Sequence, residues 1–304
     1  MSKTIMSRVV KGPFREPFYV NFVFRYLNKK SREHALARGH RMAVYANDLI
    51  GLSIYVHGVF EKEDIADLLQ LMSVLQVNVA DSSVIDVGAN IGNHSIEFAR
   101  HFGKVYAFEP NPHTFKLLAF NSDFHPNIEV FNHGLSDKDA ALQMSEDIVN
   151  YGGSSAVRQM EGDTQVRIEV KRLDDVAADI PDIALIKIDV EGMELKVLQG
   201  AVETIRSHQP AIAFEQHARE FVGAGETPAI EFLRSLGYQM CVIETDRDRQ
   251  SWIARRCRNV SELLFGRKDV RSVVLAPQVI RGTYNMIIAL PETYLAQIGA
   301  ARVT

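Results

Sequence analysis

The stretch Val84-Ile-Asp-Val-Gly-Ala-Asn-Ile-Gly-Asn-His-Ser95 decides the fold. It reads as a short buried strand, a loop punctuated by glycine, and the start of a helix. Gly88 and Gly92 permit positive φ and put no side chain between a ligand and the backbone. The N–H groups of the first helical turn have no intrahelical partner and face that same loop. Asn93 is the residue type of an N-cap. From Asn47 onward, short apolar runs alternate with helical patterns, which predicts a parallel sheet covered by helices.

Working outward, residues 84–87, 104–109, 128–132, 185–189, 211–215, 238–244 and 284–290 read as strands. Residues 93–102, 114–122, 194–205 and 228–236 read as helices, the last stopped by Gly237. Between 136 and 180 the rhythm breaks. There 142–144 and 166–170 suggest an antiparallel insertion around the loop Tyr151-Gly-Gly-Ser-Ser155. The expected architecture is a doubly wound, Rossmann-like α/β sheet, mostly parallel with an antiparallel C-terminal strand.

The glycine spacing is Gly-x-x-x-Gly, whereas a dinucleotide fingerprint needs Gly-x-Gly-x-x-Gly. Asp86, two residues before Gly88, would repel a pyrophosphate and attract a cation such as a sulfonium. Glu109 ends the next strand, 21 residues after Gly88, where a carboxylate can accept both hydroxyls of an adenosine ribose. The three features together fit S-adenosylmethionine better than a nicotinamide. A glycine turn beside two solvated acids is the plainer alternative.

Val84–Ser95, Phe108-Glu-Pro-Asn111, Leu135-Ser-Asp137, Leu173-Asp-Asp175 and Ile186-Lys-Ile-Asp-Val-Glu-Gly192 together resemble the FkbM-type methyltransferases. The resemblance covers about residues 84–240, with a fainter lead-in at Tyr55–Glu61. It implies a class I methyltransferase fold, S-adenosylmethionine as methyl donor, S-adenosylhomocysteine as product, and a sugar or polyketide hydroxyl as acceptor. Asp86, Gly88, Asn90, Gly92, Glu109 and Asn111 fall on the family's cofactor motifs, with Ala89 and Pro110 inside the same loops. Ser136 and Asp137 follow the third strand, where this fold usually places the adenine.

Strand ends in open α/β sheets share one cleft. Methyl transfer to oxygen needs alignment and a group to take the hydroxyl proton. Asp189 and His217 are the candidate catalytic residues. Asp189 could instead cap the following helix, and His217 could be an ordinary loop histidine. Glu191 reads equally as a turn residue. His94 reads as packing or capping. Asp189, Glu215 and His217 could together offer ligands to a metal ion, but nothing in their spacing requires one, and no metal is expected.

The chain has 304 residues and a formal net charge of −4. Residues 1–41 carry +8 and residues 245–282 carry +5, leaving −17 for the rest. The expected division is a basic, aromatic-rich segment at 1–45 and a methyltransferase domain at 46–304. The domain would hold the family-like core at 84–240 and a basic insertion at 245–282. In the first segment Phe14, Phe18, Tyr19, Phe22, Phe24 and Tyr26 interleave with basic residues. The expected arrangement is a helical lid with its aromatics packed on the domain. The alternative is contact with an anionic surface or a lipid-linked acceptor. The insertion, with Trp252 and five arginines between 247 and 258, could roof the acceptor pocket or form a dimer contact. The mild net charge and the missing base-amine motif argue against a nucleic-acid substrate. Cys241 and Cys257 form no disulfide framework. No signal peptide or membrane span is evident, so a cytoplasmic protein, peripheral to a membrane at most, is expected.

Overall fold

The computed structural model describes residues 18–46, 48–146, 164–223, 225–245 and 270–295. The Tyr151–Ser155 loop, Phe14, Trp252, Cys257 and most of the basic insertion lie outside them.

An eight-stranded sheet forms the centre. Its parallel part comprises β1 (Ser83–Val87), β2 (Lys104–Phe108), β3 (Ile128–Phe131), β7 (Ile183–Ile188) and β8 (Ala211–Gln216). The order is β3-β2-β1-β7-β8. β11 (Tyr284–Pro291) runs antiparallel beside β8, and β9 (Tyr238–Thr245) pairs antiparallel with its other edge. β10 (Arg271–Ala276) closes the sheet antiparallel to β9. The sequence reading expected one antiparallel C-terminal strand. The extra edge strand, β10, comes from the end of the basic insertion. Arg271 anchors it by pairing with Asp67 at 2.6 Å and with Asp64.

Both faces of the sheet are covered, because its strands are apolar on both sides. In β7, Ile186 and Ile188 face a core shared with Val87, Phe214 and Ile230. Leu185 faces the opposite core with Val84, Phe98, Leu68 and Met72. Leu68 and Met72 come from α3 (Lys62–Val74), and Ile230 from α9 (Pro228–Ser235). Cys241 is buried on β9 as a free thiol.

The break at 136–180 is a second, three-stranded sheet of β4 (Gly134–Leu135), β5 (Ala140–Glu146) and β6 (Thr164–Lys171). β5 and β6 pair antiparallel, as expected, and extend beyond the runs that suggested them.

The helix expected at 93–102 ends at Phe98, and one N-cap and one helix interior also differ from the sequence reading. The glycine loop leads into α4 (Asn93–Phe98), whose N-cap is Gly92 at φ 91°. Asn93 does not cap; its side chain holds both the N–H and the carbonyl of Phe60 at 2.9 Å. The single helix expected at 194–205 is two, α7 (Glu194–Gln199) and α8 (Val202–His208). The chain breaks at Gly200, which packs against the Ser136 carbonyl, where a Cβ would overlap the oxygen. Gly200→Ala is therefore expected to cost about 1–3 kcal/mol. Urea unfolding reads this directly, and an unchanged midpoint would mean the contact yields freely.

Candidate active site

Beyond the carboxyl ends of β1, β2 and β7 lies a cleft enclosing about 1000 Å³ of space, its open mouth included. Gly88, Ala89 and Asn90 form its floor. Gly88 has φ 75°, and its Cα lies so close to the Asp189 carbonyl that a Cβ would overlap it. The residues at Gly88 and Ala89 both donate to the Phe108 carbonyl at 3.0 Å. The loop is thus tied to both neighbouring strands. Asn90 adopts the left-handed conformation that Asn tolerates, with its own side-chain oxygen accepting from Ile91.

Glu109 stands on the opposite wall, 6 % exposed. One carboxylate oxygen accepts from the Asn90 N–H at 3.0 Å and the other from the Asn111 N–H at 2.8 Å. Each oxygen keeps lone-pair capacity toward the cleft. Burial pushes this carboxyl up to about 7, against the pull of those two N–H groups. Asn111 then caps α5 (Pro112–Ser122), its side chain accepting from His113 at 2.8 Å. Pro110 and Asn111 both line the cleft.

Asp189 also lines it, just past β7. Helix α7 begins only at Glu194, with Met193 at its N-cap, so Asp189 does not cap it. Lys187 lies 3.2 Å from Asp189 and 3.5 Å from Asp86. Burial opposes the Asp189 charge, and Lys187, His94 and a hydrogen bond from Glu215 together more than offset this, holding the carboxyl below its usual range. Glu215, at the end of β8, is pushed up to about 8 by burial and by the charges of Asp189 and Glu191. At neutral pH the negative charge of this pair therefore sits on Asp189 and the proton on Glu215.

Five of the cofactor-binding and catalytic candidates read from sequence lie off the cleft wall. Asp86 is fully buried, accepting from Ser95 at 2.6 Å and facing Lys187. Its charge has a partner inside the protein. Gly92 turns the chain into α4 against Leu118. Ser136 donates to Asp137 at 3.0 Å beside Gly200. In their place Leu135, Met144, Ile168 and Val170 form an apolar wall from the small sheet. His217 is also off the main cleft: its Nε2 lies 3.6 Å from Glu215 and 3.7 Å from Glu191. Among the described residues, Glu191, Glu215 and His217 bring one ligand-type atom each within 4.8 Å of one another. Glu191 thus takes the place expected for Asp189 in that trio. Glu191 also lines the cleft and pairs with Arg219 at 3.6 Å.

Sequence reasoning missed Lys187 and the role of His94. Lys187 was visible as a lone charge within the apolar run Ile183–Ile188, and such a charge must find a partner when buried. His94 lines the cleft and meets Glu61 at 3.3 Å. No local signal marks that pairing, because Glu61 belongs to the lead-in before β1.

The strand order, the single antiparallel strand inserted between β8 and β9, and a cleft with a carboxylate after β2 define a class I methyltransferase. The chain belongs to the FkbM-type methyltransferases: the family's methyltransferase domain model matches residues 86–240. It is 29% identical over 199 residues to a hexuronic acid methyltransferase, AglP, of Haloferax volcanii, covering 62% of this chain and 76% of that protein. It is 30% identical over 145 residues to Methyltransferase 1 of Beauveria bassiana, covering 40% of this chain and 58% of that protein. An FkbM methyltransferase structure from Methylobacillus flagellatus is similar at 23% identity and a TM-score of 0.33, covering 45% of this chain and 33% of that one. Among the described residues, no helix is long and apolar enough to cross a membrane.

Glu194, at the start of α7, shows how burial of acids shapes stability. It is buried, accepts from the Gly192 N–H at 3.0 Å, and is pushed up to about 7 by burial. A carboxyl raised in the folded state keeps a proton that the unfolded chain releases near its ordinary value of 4.5. Its contribution is complete below that value and lost as pH rises through about 7. The expected outcome is that stability falls across this window. Glu194→Gln, which keeps the acceptor oxygen, should flatten the fall by up to on the order of 3 kcal/mol. Denaturant midpoints for both proteins at several pH values check this.

Proposed function

We propose that this chain is an S-adenosylmethionine-dependent O-methyltransferase acting on a hydroxyl of a sugar, a glycan or a glycosylated small molecule. The observation that carries the reading is one cleft holding both Glu109, with lone pairs toward the opening, and Asp189, held ionised by Lys187. The residues fit an adenosyl ligand. A buried carboxylate faces the space where ribose hydroxyls would donate, glycine backbone lines the floor, and an apolar wall suits an adenine face. When bound, S-adenosylmethionine supplies an electrophilic methyl group that an acceptor oxygen displaces in line.

Glu109 would bind and orient the ribose, and Asp189 would accept the proton of the acceptor hydroxyl. Lys187 would keep Asp189 ionised for that task. His217 stands one layer further out, and in this reading it would work through Glu191 and Glu215, at the far edge of the acceptor space. The resemblance to a hexuronic acid methyltransferase at 29% identity and to a 2-O-methyltransferase, NoeI, of Sinorhizobium fredii at 25% identity supports a carbohydrate hydroxyl. A small-molecule acceptor of another kind is the second reading, favoured by the apolar lining of Ile50, Val190 and Met193.

Two measurements test the proposal. Calorimetric titration with S-adenosylhomocysteine should give micromolar binding. Ribose hydroxyls donate best to an ionised carboxylate, so affinity should rise with pH through about 7, the range to which Glu109 is pushed. Glu109→Ala should weaken binding roughly a hundredfold, the loss of two charge-assisted hydrogen bonds. Binding that ignores both pH and this variant would remove the cofactor reading. Turnover on a screened carbohydrate acceptor should fall about 10²–10⁴-fold in Asp189→Asn, with product binding retained. Unchanged turnover would take the proton acceptor away from Asp189.

A further inference from the structure

Helix α1 (Phe18–Arg38) contradicts the expected lid. Its C-terminal half is held to the domain: His34 meets the Val56 carbonyl at 3.0 Å, and Arg38 donates to the Gly58 carbonyl at 3.2 Å. Val56 lies in the next helix, α2 (Leu49–His57), and Gly58 is its C-cap. Among the described residues, the N-terminal half makes no such contact with the domain. Phe18 is 86 % exposed, Phe22 62 % and Phe24 67 %, with Tyr19 and Tyr26 also exposed. Successive helical positions lie about 100° apart. Phe18 and Phe22 therefore point to one side and Phe24 to nearly the opposite side.

Aromatic exposure on several sides of one helix end does not fit a single partner groove, which would need one stripe. It fits a medium that surrounds the helix end. The residues that follow are basic: Arg25, Lys29, Lys30 and Arg32 against Glu33. With the residues before it in sequence, the segment 1–41 carries +8 on a chain of net −4. α2 adds exposed Leu49, Leu52 and Tyr55, spaced three apart on one face. Ile50, beside Leu49, lines the cleft.

We propose that α1 and the exposed face of α2 dock on an anionic lipid bilayer surface. Phe18, Phe22 and Phe24 enter the boundary between headgroups and acyl chains, and Arg25, Lys29 and Arg32 meet lipid phosphates. The positive segment supplies the attraction, and the acidic remainder of the chain keeps the other faces away from the membrane. Because Ile50 belongs to α2, docking sets the mouth of the cleft near the headgroup layer. The inference concerns where the enzyme works and does not depend on which hydroxyl it methylates.

The test is sedimentation of the full chain with vesicles of phosphatidylcholine, alone and with about 30 mol % phosphatidylglycerol. Binding is expected only to the anionic vesicles. It should be released at high salt, since surface charge is screened over a few ångströms there. Arg25→Gln/Lys29→Gln should weaken partitioning roughly tenfold or more, the effect of removing two basic groups near a charged surface. Phe18→Ser/Phe22→Ser/Phe24→Ser should do at least as much. Both variants should keep the thermal midpoint and S-adenosylhomocysteine binding of the parent, because these side chains are solvent-exposed. The proposal is overturned by equal binding to neutral and anionic vesicles, by no binding to either, or by variants that bind like the parent. A parent that runs as a dimer without lipid, dissociated by the phenylalanine substitutions, would also overturn it and assign the face to self-association.

Discussion

Lys187 puts an ammonium group inside the parallel sheet, 5 % exposed, between the carboxylates of Asp86 and Asp189. A charge in that place is tolerated only with partners, and removing one partner from such a group typically costs 3–5 kcal/mol. The requirement fixes several elements at once. Asp86 on β1 must face β7, and it does so while accepting from Ser95 at the start of α4. Asp189 must turn back toward the sheet, which brings its carbonyl against Gly88 and leaves no room there for a side chain. The glycine loop, the end of β7 and the first turn of α4 are therefore one electrostatic unit, and the floor of the cleft is its outer surface.

A second constraint is the satisfaction of backbone groups where the N-terminal lead-in crosses the domain. Side-chain amides do this work. Asn93 takes both polar groups of Phe60. Asn121 accepts from Ala43 at 2.7 Å and donates to the Ala43 and Ile91 carbonyls at 3.0 and 2.8 Å. Buried backbone groups left unpaired would be costly, so these two residues hold the segment that carries α2 and Glu61 against the site. The lead-in thereby gives the cleft Ile50 and the partner of His94.

The acids at the ends of β7 and β8 do not titrate alike, and the difference follows from position. Burial raises both; Asp189 has an ammonium neighbour that pulls it back down, whereas Glu215 has carboxylate neighbours that push it further up. A proton taken by Asp189 would leave a carboxylic acid pair beside Lys187. Glu191 lines the cleft and, with Glu215, meets His217 behind it, so His217 neighbours the charge at the cleft without lining the cleft itself.

The five parallel strands and β9 and β11, with the helices between them, were legible in the sequence because strands buried on both faces leave unbroken apolar runs and glycine marks the turns between them, whereas β10 was not. Gly88, Glu109 and Asp189 were also legible as cleft residues, since strand ends in such a sheet converge on one side, and the family resemblance added Ala89, Asn90, Pro110 and Asn111. Sequence alone could not say which way a buried side chain points. It therefore grouped Asp86 with the ligand-facing residues and passed over Lys187, although the two answer each other across β1 and β7. It could not show the break at Gly200 either, which exists because Ser136, far away in the chain, packs there. The fate of the aromatic helix was equally a tertiary matter. Its composition suits a lid and a membrane surface alike, and among the described residues only its C-terminal half is tied to the domain while Phe18, Phe22 and Phe24 stand exposed, which speaks against the lid. Local pattern fixes which elements form; the pairing of charges and the covering of surfaces depend on neighbours that meet only when the chain is folded.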